Sequence, residues 1–233
     1  TGFDVRTRLV SPQGGYEKSP PQVVRAIAHN GYVQGAHGVH LFNYDCHHAG
    51  LHKDCQSHDD FSEADLQLLH DLRDPKRLAR LDRCYHVWSE EVSKDTCSYS
   101  LGSHPGQLPR KLAMQSRGAN EACALRLVIE DDIPTGLAEG QVGSTELRLR
   151  LTEHEDCLDR ILCEVNGKPM DLQTAGQISN SDGETWLTLP NPPVVCGENR
   201  ILVLLLGSDQ PEIIPTLHQC EVVVFCESTD NGK

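Results

Sequence analysis

The chain has 233 residues, 34 acidic against 21 basic side chains, and a formal net charge of −13. With 38% hydrophobic and 24% charged residues it has the composition of a folded protein, long enough for one large domain or two modest ones. An acidic balance of this size speaks against nucleic acid and anionic lipid as partners, and the longest purely aliphatic run, Ile201 to Leu206, is far short of the roughly 20 residues that cross a bilayer.

Residues 2–10 (GFDVRTRLV) predict a short strand. Ser19-Pro20-Pro21 predicts a helix start, with Ser19 as N-cap and prolines in the first turn. Val23, Val24, Ile27, Ala28 and Gly31 then follow at helical spacing, so an amphipathic helix runs to about Gln34. Gly35 to Gly38 turns the chain into a second strand, Val39 to Tyr44. Strand, crossover helix and strand make a right-handed βαβ unit. Two strands leave both sheet edges open, so more polypeptide or a partner chain is expected to cover them. Ser62 with Asp65 gives a capping-box signal for a further helix, with Leu66, Leu69 and Leu72 on its apolar side. Asp74-Pro75 opens another, with Leu78, Leu81 and Tyr85 facing inward.

From Trp88 to about Arg110 periodicity disappears, which reads as a linker or long surface loop. From Leu112 the period becomes two. Leu125, Leu127 and Ile129 alternate with Arg126 and Val128, and Leu147, Leu149 and Leu151 with Arg148 and Arg150. Ile161, Cys163 and Val165 lead to Asn166-Gly167, a hairpin turn that tolerates positive φ. Trp186 to Leu189, Ile201 to Leu206 and Cys220 to Cys226 supply three more strands. At least six strands with turns between them predict a β-sandwich of jelly-roll type. Trp88 and Trp186 are candidate sugar-stacking rings, although Trp186, within a strand, is expected in the core.

Ten cysteines are an even and above-average number. Cys46 and Cys55 bracket a polar loop, and Cys84 and Cys97 bracket a helix end and a polar linker. These four are the disulfide candidates, and they suit an extracellular or secreted protein. Buried thiols are the alternative, which Cys123, Cys163 and Cys220 fit equally well. With Thr1 first, a removed leader or a longer upstream chain is expected. Residues 45–60 (DCHHAGLHKDCQSHDD) hold ligand-type side chains, but their spacing matches no zinc pattern. Glu130-Asp131-Asp132 could serve calcium or be a solvated loop. No metal and no cofactor is assigned, and no Gly-rich phosphate loop or G-x-S-x-G elbow occurs.

The segment VVRAIAHNGYVQGAHGVHLFNYD resembles the last helix–strand passage of TIM-barrel glycoside hydrolases, specifically the family-10-like glycosyl hydrolases, through Arg25, Ala26, Gly35, Ala36, Gly38, Val39, Leu41, Phe42 and Asn43. Leu72-Arg73-Asp74-Pro75 with Leu78-Ala79 is similar to that family's closing helix. Asp159 to Lys168, Pro192-Pro193 and Gly197-Glu198-Asn199 resemble its accessory sandwich. The resemblance implies an α/β plus all-β fold. Residues 1–88 would be the last β/α units of an incomplete TIM-like barrel, 89–110 a linker, 111–228 a jelly-roll-type β-sandwich, and 229–233 a tail.

It also implies a barrel mouth carrying Asn43 and Asp45, with Asp4 and Arg6 on the preceding strand. Asp4 is then the candidate catalytic carboxylate, and Arg6, Asn43 and Asp45 are substrate-binding candidates. Asp4 with Arg6 as an ion-paired strand end, and Asn43 as a strand-end hydrogen-bonding residue, are the competing readings. Asp4 stands where related barrels use Glu, and the general acid would lie on an upstream strand. The expectation is a glycan-associated protein, not catalytic as this chain alone. Its partners would be carbohydrate and an upstream segment or partner chain completing the barrel. The alternative is a non-catalytic extracellular structural protein that self-assembles as a homo- or hetero-oligomer.

Overall fold

A proline that needs no N–H opens the first long helix, and an Asn-Gly pair closes a central hairpin; between them these two local signals mark two different kinds of architecture. The computed structural model describes residues 2–5, 8–10, 16–18, 20–41, 62–87, 108–114, 124–152, 155–174, 176–179, 184–207 and 214–227. The chain divides into Thr1–Arg83 and Cys84–Lys233.

The first unit contains β1 (Gly2–Val5), β2 (Arg8–Val10), β3 (Tyr16–Lys18), α1 (Pro21–Val33), β4 (Gly38–Leu41), α2 (Glu63–Leu72) and α3 (Pro75–Leu78). β1 and β4 pair in parallel, from Gly2 opposite Gly38 to Val5 opposite Leu41. β2 and β3 form a separate antiparallel pair. The N-cap of α1 is Pro20, one residue later than the expected Ser19; its carbonyl accepts from Val23 and Val24 N–H at 2.9 and 3.3 Å. Val24 and Ala28 pack with Leu68, Leu72 and Leu78, and Ile27, Tyr32, Val39 and Leu41 close around them.

Ser62 and Asp65 form the capping box of α2: the Ser62 hydroxyl accepts from Asp65 N–H, and Asp65 accepts from Ser62 N–H. The buried face of α2 differs from the expected one. Asp65, Leu68, Asp71 and Leu72 are buried, while Leu66 is 51% and Leu69 37% exposed. The cause is Asp71. Its carboxylate accepts from Arg25 at 2.8 Å, Arg77 at 2.9 Å and Gln67 at 2.8 Å, and this network turns its side of the helix toward α1 and α3. Burial would raise the Asp71 carboxyl, yet the bonds from Gln67, Arg77 and Arg25 hold it below the usual carboxylate range.

The second unit begins within β5 (Arg83–His86) and continues through β6 (Arg110–Lys111), β7 (Leu125–Ile129), α4 (Ile133–Ala138) and β8 (Val142–Thr152). Then follow β9 (Ile161–Val165), β10 (Lys168–Met170), β11 (Gly176–Ser179), β12 (Glu184–Pro190), β13 (Gly197–Leu205) and β14 (Thr216–Cys226). One sheet runs β10-β9-β13-β7; the other runs β11-β12-β8-β14-β5, with β6 also paired to β14. Leu147, Leu149, Leu151, Leu187, Leu189, Cys220, Val222 and Val224 form the buried row of the larger sheet. Segment 112–114 links the sheets: Leu112 N–H donates to Pro215 O, and Leu205 N–H donates to Ala113 O.

The expected fold class is corrected. The described strands lie mostly in antiparallel sheets and close no barrel, so residues 1–88 are not the end of a TIM-like barrel followed by a jelly-roll-type sandwich. The physical reason lies in what α2 and α3 lead to. A closing helix would return the chain beside β4, but α3 ends at Leu78 and the chain enters β5, which pairs with β14. Tyr85, expected on a helix, is therefore a strand residue.

The β9–β10 turn places Asn166 at φ 53° and Gly167 at φ 74°, as a two-residue hairpin with positive φ at both centres requires. The Asn166 side chain donates to Pro193 O and to Asn199 Oδ1, and accepts from Arg200 N–H. Asn199 is fully buried; it accepts from Val195 N–H and donates to Val195 O and Gly197 O. Asn199→Ala leaves these groups unpaired inside the protein and is expected to destabilise it by about 2–4 kcal/mol. A urea-unfolding midpoint unchanged in this variant would show that the network does not hold the turn.

Candidate functional site

Alternation in β8 sends Leu147, Leu149 and Leu151 inward and Glu146, Arg148 and Arg150 to the opposite face. Directly opposed residues share a face. On β12, Trp186 stands opposite Arg150, Thr188 opposite Arg148 and Pro190 opposite Glu146. On β14, Gln219 stands opposite Arg150, Glu221 opposite Arg148, Val223 opposite Glu146 and Phe225 opposite Ser144. The larger sheet thus carries a strip of half-buried rings, guanidinium groups, carboxylates and an amide on its outward face.

The strip is internally ordered. Arg148 donates to Glu146 Oε2 from Nη2 at 2.8 Å and from Nε at 3.0 Å, and its guanidinium lies 5.6 Å from the Phe225 ring centre. Arg150 lies 5.9 Å from the Trp186 ring centre. Gln219 donates its amide to Glu221, which also accepts from the Cys84 thiol. Thr152 Oγ1 and His218 Nε2 are 3.1 Å apart. Burial raises the Glu221 carboxyl despite opposing contributions from Gln219, Cys84, Arg148 and Arg150. Burial and then the Glu221 charge push the Cys84 thiol up, which suppresses the thiolate needed for nucleophilic attack. The arrangement puts hydrogen-bonding groups and ring faces together on one side of the sheet.

Trp186 corrects the expectation of a core residue: Leu187 and Leu189 take the buried positions, so Trp186 and Thr188 face outward. The signal was present in the alternation of Trp186-Leu187-Thr188-Leu189. Of the other candidates, Asp4 lies on β1 opposite His40. Arg6, Asn43, Asp45, Cys46, Cys55 and Cys97, together with Trp88, lie outside the described residues. Cys84 is a free thiol, as are Cys163, Cys196 and Cys220.

The acidic run has structural employment. Asp131 is buried and accepts from the Tyr85 hydroxyl at 2.7 Å, and Asp132 caps α4 by accepting from Thr135 N–H. Among the described residues no group of three His, Cys, Asp or Glu side chains is placed to hold a metal ion. Also among these residues, no helix is long and apolar enough to cross a membrane. The chain matches no protein-family model and no curated protein.

His86, on β5, is buried, and burial pushes its imidazole down to about 4. Its folded pKa is below the unfolded value of 6.5, so the unfolded chain binds the extra proton first. The stability tied to neutral His86 is therefore full above about pH 6.5 and is lost as pH falls toward 4, by roughly 3 kcal/mol. Glu221, with its raised pKa, contributes with the opposite sign, losing stability as pH rises through its folded value. His86→Gln is expected to flatten the fall in urea midpoint between pH 7 and pH 4 relative to the parent, and equal slopes in both proteins would contradict the assignment.

Proposed function

We propose that the second unit is a glycan-binding module that works through the outward face of its larger sheet. The single observation that carries this reading is the outward placement of Trp186, supported by Arg150 and continued by Arg148, Glu146, Glu221, Gln219 and Phe225. A sugar offers an apolar C–H face and a rim of hydroxyls. An aromatic ring meets the first, while guanidinium, carboxylate and amide groups meet the second in planar, paired hydrogen bonds. Ordering these side chains before a ligand arrives lowers the entropy lost on binding. The thiol at Cys84 has no role in this reading beyond holding Glu221.

A second reading is favoured by β1 and β4. Two parallel strands with no further paired neighbour among the described residues are short of what an independent sheet needs, so their edges suit association with another strand. Assembly and glycan binding are compatible, and each is tested separately. Light scattering on the purified chain is expected to give a mass above the 25.8 kDa of one copy, and a strictly monomeric species over a wide concentration range would remove self-association.

For the glycan reading, immobilised neutral polysaccharides are expected to retain the protein. Trp186→Ala should weaken retention about tenfold, equivalent to ~1.4 kcal/mol. Undiminished retention in this variant, with unchanged melting temperature, would place binding elsewhere on the molecule.

A further inference from the structure

The two rings of the strip sit far apart on the sheet. Trp186 pairs with Arg150 and Phe225 with Ser144, so the pair is separated by six residues along β8 and by the width of two strand spacings across it. At about 3.4 Å per residue and about 4.8 Å per strand, the backbone positions are roughly 23 Å apart on a diagonal. A single sugar ring cannot reach both. Between the rings lie the groups that can address hydroxyls: Arg150, Gln219, Arg148, Glu221, Thr188 and Glu146.

The charges of the strip cancel. Two guanidinium groups, Arg148 and Arg150, stand among two carboxyl groups, Glu146 and Glu221, and Arg148 is paired with Glu146 at 2.8 Å. A polyanion such as a uronic or sulfated glycan would have to displace this internal pair while approaching a chain of net charge −13. A neutral hydroxyl-bearing ligand adds hydrogen bonds to the same groups without breaking the balance.

We infer that the face takes a linear, neutral oligosaccharide of several sugar residues, lying diagonally across β12, β8 and β14 from Trp186 to Phe225. This rests on the glycan-binding reading above and adds the ligand's length, charge and direction. Trp186 and Phe225 serve as the two ends, and the Arg–Glu groups serve as the middle.

The test is titration calorimetry of the whole chain with cello-, xylo-, manno- and chito-oligosaccharides of one to six units. Oligogalacturonides and heparin fragments serve as anionic comparators, each at low and at high sodium chloride. In at least one neutral series, affinity is expected to rise tenfold or more from monomer to about tetramer and then level off, with little response to salt. Phe225→Ala is expected to remove the gain from the longer members, while Trp186→Ala weakens every length. Phe225→Tyr, which keeps the ring, is expected to restore the length dependence and so separates loss of the ring from loss of fold. Equal affinity for monomer and hexamer overturns the inferred length while leaving a glycan site in place. Preference for an anionic comparator, with affinity falling steeply with salt, overturns the inferred charge. Silence across both panels overturns this inference together with the glycan-binding reading.

Discussion

The second unit depends on the ladder between β8 and β14, two strands of eleven residues paired along most of their length. Because side chains alternate across a strand, that one pairing assigns most residues of both strands to the core or to the outside, apart from the register shifts at Leu217/Gln219 and Phe225/Cys226. Leu147, Leu149 and Leu151 are wholly buried opposite Val222, Cys220 and Leu217, and this commits Glu146, Arg148 and Arg150 to the outward face with Glu221 and Gln219. A slip of one residue would bury two arginines and a glutamate and expose three leucines. The apolar row thus holds the polar strip in place, and β12 joins the same register so that Trp186 stands beside Arg150.

The first unit is held differently. Its apolar core is small, built around Val24, Ala28, Leu68, Leu72 and Leu78. A single buried carboxylate, Asp71, gathers Arg25 from α1, Gln67 from α2 and Arg77 from α3. Multiple hydrogen bonds offset the cost of burying a charge, and breaking the set from one side would leave an uncompensated group behind. Specific orientation of three helices therefore rests on one side chain, which also explains why Leu66 and Leu69 are left facing out.

The chemistry of the strip follows from burial. Cys84 and His86 sit on one strand with Glu221 on its neighbour, a set of residue types that elsewhere could form a nucleophile, a base and an orienting acid. Here burial pushes the thiol up and the imidazole down to about 4, so neither the thiolate nor the imidazolium is favoured at neutral pH. Glu221 is itself part of the strip, and the Cys84 thiol donates to its carboxylate. On the same face as Glu221, the Arg148–Phe225 and Arg150–Trp186 pairs order the guanidinium groups.

Much of the local structure was legible in the residues themselves. The capping box of Ser62 and Asp65, the hairpin turn at Asn166-Gly167 and the alternation of β8 each depend on contacts within a few positions, so sequence spacing determines them. The outward position of Trp186 was equally readable from its leucine neighbours, although its place within a strand argued for the core. The apolar side of α2 was not readable, because a buried Asp71 outranks Leu66 and Leu69 only once Arg25 and Arg77 arrive from other helices. Nor was the destination of the chain after α3, since a short strand such as Arg83–His86 carries no periodic signal of its own and becomes a strand through pairing with β14. Sequence alone determined which segments alternate and which turn. Tertiary structure decided which of them pair, and that pairing, by carrying Trp186, Arg150 and Glu221 onto one face from strands far apart in the chain, made the site.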